Sequence, residues 1–222
     1  MEPEEIARLL GVMPETSFTE RYRPRYNVAP TDEHWIVRAA GGASLPRREL
    51  VPAAWGVGKG HQILTRAENA RTRTMLRDPS AGHRCVVPAD GFFEWTGDKG
   101  DRRPIWFHRP DRSLVLLAAM CVESQGGFQF SILTTTPNAV VEKVHDRMPV
   151  VVPLSDVGRF LSATDPKEVA SFLKAAPDDA LVAEEVSKRV NVVGNDDPDC
   201  LAPPEPKRES TEKPRGKQLR LF

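Results

Sequence analysis

Seven short apolar runs punctuate the chain between residues 34 and 153. They are HWIVRA (34–39), RCVVP (84–88), GFFEW (91–95), PIWFH (104–108), LVLLAAM (114–120), FQFSILTT (128–135) and PVVVP (149–153). They are short, β-branched or aromatic, and separated by stretches containing Gly, Pro and Asp, the pattern of strands. Helical spacing is rarer. From Pro3 to Val12, Ile6, Leu9 and Leu10 share one face, and Glu4 and Glu5 sit in the first turn, where the helix dipole favours them. Further helical patterns cover Asn138 to Val144, Leu154 to Leu161 and Pro166 to Ala175, the last with Asp165 as N-cap before Pro166. A late strand is expected at Leu181 to Val186, and ETSFTERYRPRYNVAPT (15–31) reads as irregular, proline-punctuated chain. Strands come first and helices gather late. That order predicts an α+β domain with a curled, barrel-like, mixed or antiparallel sheet and flanking helices, not repeating βαβ units.

Composition adjusts this picture. At 222 residues and 40% apolar, the chain fits one domain, expected over 1–202. The segment PPEPKRESTEKPRGK has no apolar residue besides proline, which predicts a disordered tail over 203–222. Net charge is zero, yet Lys59, His61, Arg66, Arg71, Arg73 and Arg77 stand against only Glu68 and Asp78. That stretch is either a solvated face or a phosphate-binding groove. No apolar run is of transmembrane length. Three widely spaced cysteines and an acidic N-terminus predict free thiols in a reducing cytoplasm, with no zinc site and no cofactor.

Two ionisable residues stand out. Glu94 lies between Phe93 and Trp95; alternation puts those aromatics on one face and Glu94 on the other with Phe92. A carboxylate among aromatics tends toward a raised pKa, although from this residue alone an ordinary surface glutamate on an edge strand is the better reading. His145 follows a helical pattern and precedes Pro149, at a junction where it serves either as a proton carrier or as a helix-end cap. Together they are the parts of a general acid–base site. Asn69, among the arginines, offers both donor and acceptor. Arg147 suits a phosphate or Asp146. Trp55-Gly56 sets an aromatic beside a flexible loop. Asn27 and Pro30 lie in RYNVAPT, and Thr134 ends a strand with a hydroxyl. Each of these also has a purely structural reading.

The strings RYNVAPT, WG, ENAR, RCVVPADGFFEW, ILTT, HDRMPV and NDDPDC, in this order, resemble the SRAP family (SOS response-associated peptidase), the abasic-site processing proteins. The resemblance runs from about residue 4 to 201. It implies a SRAP-like fold and a partner: single-stranded DNA carrying abasic sites, including junctions with duplex. It implies that a cysteine exposed by removal of the initiator methionine forms a thiazolidine crosslink with the sugar aldehyde, in peptidase- and lyase-like steps. Under it, Asn69 orients the sugar, Glu94 assists proton transfer and methionine removal, and His145 acts as acid or base in ring opening. Arg71, Arg147, Trp55, Asn27, Pro30 and Thr134 become DNA contacts, on a monomer that stays off membranes. The chain departs from the family at its start, Met1-Glu2-Pro3 where the family has Met-Cys-Gly-Arg, and at Arg73, where an acidic residue is usual. Two readings stay open: an upstream start that supplies the cysteine, or a paralogue without the nucleophile that binds DNA non-covalently.

Overall fold

The computed structural model describes residues 3–12, 16–40, 47–70 and 83–205. Of the expected tail, 206–222 lie outside the described residues. In chain order the elements are α1 (Pro3–Leu10), α2 (Thr16–Arg21), β1 (Glu33–Ala40), β2 (Arg47–Trp55), β3 (Leu64–Arg66), α3 (Ala67–Ala70), β4 (Arg84–Ala89), β5 (Phe92–Thr96), β6 (Arg103–His108), β7 (Val115–Ser124), β8 (Gly127–Thr135), β9 (Met148–Pro149), α4 (Val157–Ser162), α5 (Pro166–Phe172) and β10 (Val182–Glu185).

β1 pairs with β2 and β4, β4 with β7, and β7 with β8, all antiparallel; β8 then returns in parallel to β2. Five strands therefore close on themselves as a mixed barrel, and closure removes the exposed edges that promote aggregation. Alternation sorts the side chains. Ile36, Ala53, Cys85, Val87, Leu117, Ala119, Phe130 and Ile132 fill the interior. Val37, Leu50, Val86, Leu116, Ala118 and Met120 face outward, under Ile6, Leu10, Phe18, Phe160 and Phe172 from the helices. α5 starts as its sequence indicates: Lys167 N donates to Asp165 at 2.9 Å, and Pro166 occupies the first turn.

A second sheet, β10-β6-β5, closes one mouth of the barrel. Ile105, Phe107 and Phe92 join the interior cluster, while Trp106 and Phe93 lie under the C-terminal segment at Val186, Val190 and Cys200.

Two local features shape the end of β8. β2 and β3 run in succession along the same edge of that strand, Ala53–Trp55 opposite Phe128–Phe130 and Leu64–Arg66 opposite Ile132–Thr134. Between them the chain makes an excursion, residues 56–63, pinched at its neck by the Val57–Gln62 pair. Gly56 permits the exit: its φ is +133°, and an added Cβ would meet the His61 backbone at 3.3 Å. Secondly, β7 and β8 splay apart and residues 148–152 wedge between them. Val150 N donates to Leu133 O of β8, and Ala118 N of β7 donates to Val150 O, both at 2.8 Å.

The structure differs from the sequence expectations at several places. β2 and β3 were not expected, because Pro52 interrupts one and the other has three residues. α2 lies within the stretch read as irregular. The 138–144 run forms successive hydrogen-bonded turns, not a continuous helix: Asn138 Oδ1 accepts from Val141 N as an N-cap does, but only Glu142 N (to Asn138 O) and His145 N (to Val141 O) reach four residues back, while Val144 N reaches three, to Val141 O. The 149–153 strand is shortened to Met148–Pro149 plus a bridge at Val151, since the wedge changes partners midway.

Candidate functional site

β5 alternates as the aromatic spacing indicates. Phe92 turns inward against Phe107, Phe93 outward, and Glu94 inward toward the barrel mouth. The turns at 138–144 pack Val141 and Val144 on the same interior cluster, and Met148 follows them into it. These two anchors deliver His145 to Glu94, with His145 Nε2 4.0 Å from Glu94 Oε2. That distance is too long for a hydrogen bond and short enough for an ion pair. A hydroxyl oxygen seated beside both groups can bond to each.

The surroundings give the pair distinct characters. Glu94 is 23% exposed and His145 42%. Burial pushes the Glu94 carboxyl above its ordinary range; His145 works against that shift and Asp146 adds to it. Arg147 N–H donates to His145 Nδ1 at 3.0 Å. The neutral ring then carries its proton on Nε2, the nitrogen that faces Glu94. When the ring is protonated, Nδ1–H finds Arg147 O at 3.1 Å and Asp146 Oδ1 at 3.3 Å. In that state Arg147 N–H loses its acceptor.

Arg147 spans from this pair to the end of β8. Its guanidinium donates to Thr134 O at 2.6 Å and makes a two-pronged contact with Glu68, at 3.0 and 2.9 Å. Glu68 and Asn69 are neighbours on α3, which β3 places beside Thr134. Asn69 therefore belongs to the same corner of the fold, with an exposed side chain. Arg71, Arg73 and Arg77 lie outside the described residues.

The remaining candidates divide. Trp55 is half-buried; its indole N–H donates to Ile63 O at 2.9 Å and its ring stacks on Phe130. It supports the neck of the excursion, in which Lys59, Gly60 and His61 are exposed. Pro30 is exposed in the Ala29–Asp32 turn, and Thr31 N donates to Trp55 O at 2.8 Å, so Pro30 and Trp55 are adjacent. Asn27 is buried instead. Its Nδ2 donates to Val190 O, Val192 O and Asn195 O at 3.0–3.3 Å, an internal fastening between the N-terminal and C-terminal segments. Thr134 is also buried and acts on Arg147 rather than facing solvent.

The sequence reading did not single out Glu68 or Asp196. Asp196 accepts from Tyr26 N and Asn27 N and pairs with Arg25, tying the N-terminal segment to the C-terminal one. The NDDPDC string carried that signal, but only as part of a motif. Among the described residues no three metal-binding side chains gather, and no helix is long and apolar enough to cross a membrane.

Fold and site together define a mixed five-stranded barrel with a carboxylate–imidazole pair at one capped mouth. The family model for SOS response associated peptidase (SRAP) matches residues 1–193, and the chain belongs to that family. It is 29% identical over 197 residues to the abasic site processing protein YoqW of Bacillus subtilis, covering 81% of this chain and 86% of that one. To the abasic site processing protein HMCES of Gallus gallus it is 26% identical over 225 residues, covering 82% and 67%. Among solved structures, a protein from Bacteroides thetaiotaomicron superimposes with a TM-score of 0.73 at 18% identity, covering 91% of this chain and 96% of that one. A second, from Bordetella bronchiseptica, gives 0.66 at 19%, with 84% and 97% covered. These two likenesses concern the fold.

Proposed function

We propose that this chain processes abasic sites in single-stranded DNA, with Glu94 and His145 as the proton-transferring pair. The observation that carries the reading is their 4.0 Å approach from segments 51 residues apart, one carboxyl raised above its ordinary range. The relatives' names supply the substrate class.

An abasic sugar exists mostly as a closed hemiacetal. Opening it needs a base at the anomeric hydroxyl and an acid at the ring oxygen; imine formation with an amine then needs an acid to expel water. Ionised Glu94 supplies the base and His145, through Nε2–H, the acid; Glu94, then protonated, is the donor that expels water in the imine step. Asn69 orients the sugar and Arg147 holds the adjoining phosphate. In a form that begins Met-Cys, the freed cysteine supplies amine and thiol for a thiazolidine, and removal of its methionine draws on Glu94.

A second reading has its own support. Cys85, Cys121 and Cys200 are all buried, so none is a surface nucleophile. A form without an N-terminal cysteine engages the strand non-covalently or through a reversible imine.

One experiment separates these readings. The chain, and the chain given a Met-Cys-Gly-Arg start, are mixed with abasic and intact single strands and examined by mass spectrometry, with and without borohydride. A stable adduct only in the cysteine form, and a borohydride-trapped adduct only on abasic DNA, are expected. No adduct in either form overturns the abasic-site reading. Binding without preference for abasic strands leaves only the non-covalent module.

A further inference from the structure

We propose that Glu68 is an internal substitute for a DNA phosphate, occupying the Arg147 guanidinium until a strand displaces it. The inference rests on the proposed DNA-binding reading of this corner and adds its regulation. Carboxylate and phosphate present the same two-oxygen face to an arginine fork. Glu68 uses that face fully, with one oxygen on each terminal nitrogen at 3.0 and 2.9 Å.

The two partners are held unequally. Arg147 is 20% exposed and fixed by Thr134 O at 2.6 Å; its Nε is buried and makes no hydrogen bond. Glu68 is 50% exposed and sits on a four-residue helix. When the pair parts, the acid swings into water and the cation stays, aimed where the acid was. Asn69 is the next residue along, so the vacated position adjoins the residue assigned to the sugar. Glu68 thus lowers affinity for any strand whose phosphate takes the Arg147 fork.

The test is fluorescence anisotropy of a dye-labelled, intact single-stranded oligonucleotide, titrated with wild type, Glu68→Gln and the double variant Glu68→Gln/Arg147→Gln across a salt series. Glutamine keeps the shape and removes the charge. Glu68→Gln is expected to bind about 3- to 10-fold tighter, the scale on which a part-exposed ion pair holds its partners. Its slope of log affinity against log salt should be steeper by up to about one, because in wild type the released carboxylate takes up a cation as the strand gives one off. The double variant loses the gain, showing that it passes through Arg147. Unchanged or weaker binding by Glu68→Gln overturns the proposal and makes Glu68 an anchor for Arg147. If no form binds any strand, the DNA-binding reading itself fails, and the proposal with it.

Discussion

Two clusters of polar residues hold this molecule's motifs, and they are built in opposite ways. At the clasp, Asp196 accepts two backbone N–H groups and the Arg25 side chain, and Asn27 Nδ2 donates to three carbonyls. At the barrel mouth, Glu94 and His145 face each other across 4.0 Å without a hydrogen bond. Both clusters join remote segments, and both lie in strings that mark the family. The difference is satisfaction. A saturated cluster has nothing left to offer a ligand and serves stability; an unsaturated one is held in place by its neighbours and keeps its bonding capacity for something else.

The most direct attempt to break this contrast is Glu94→Gln. If the mouth performs acid–base chemistry, single-turnover reaction with an abasic strand should slow by about 10²- to 10⁴-fold, the usual worth of a positioned proton donor. Anisotropy with an intact strand should show unchanged affinity. A variant that reacts at the wild-type rate would reduce the pair to a chance approach.

The clasp should respond in the other currency. Asp196→Ala leaves two backbone N–H groups without their acceptor and Arg25 with only Asp32 as partner, at a cost of about 2–3 kcal/mol in urea unfolding. The reaction rate per folded molecule should hold. Loss of rate with full stability would mean that the clasp belongs to the site.

Trp55 tests the boundary between the two kinds. Its indole is saturated like the clasp, yet it supports an exposed excursion. Trp55→Phe removes the bond to Ile63 O and should cost about 1 kcal/mol. Tryptic cleavage after Lys59 should quicken as the neck loosens. Unaltered cleavage would show that the Val57–Gln62 pair alone closes the neck.

Legibility in the sequence divides along a similar line, between local and long-range causes. Strand runs such as LVLLAAM and FQFSILTT were legible because burial on both faces writes them as near-continuous apolar stretches. β2 was not: RRELVPAAW begins with charges, of which Glu49 pairs with Arg38 on the adjacent β1 and Arg48 donates to Leu10 O, and it contains Pro52. Its membership is decided by barrel closure, a long-range event with no local periodicity. The inward turn of Glu94 could be read from period-two alternation. Its meeting with His145 depended on the wedge at 148–152, and the saturation of Asn27 depended on carbonyls more than 160 residues away. The motif strings contain both clusters and do not distinguish the saturated one from the unsaturated one.

The smallest effect discriminates most sharply, because the two clusters should respond to pH with opposite signs. Burial opposes ionisation of Asp196, but the N–H groups of Tyr26 and Asn27 and the Arg25 charge outweigh it and hold the carboxyl below its ordinary range. The ionised form therefore stabilises the fold. That contribution is complete above the unfolded-state value, about 3.9, and is lost as pH falls through the lower folded value. Asp196→Asn should melt below wild type at neutral pH, with the gap closing in acid. For Glu94 burial prevails, and the folded carboxyl sits above its ordinary range. The ionised form then burdens the fold. That penalty is complete above the raised value and absent below the unfolded value, about 4.3. Glu94→Gln should melt above wild type at neutral pH, with its advantage also vanishing in acid. Melting curves of the two variants from pH 3 to pH 8 should approach the wild-type curve from opposite sides. If Glu94→Gln instead melts below wild type at neutral pH, Glu94 is a stabilising surface charge, and the barrel mouth is built like the clasp.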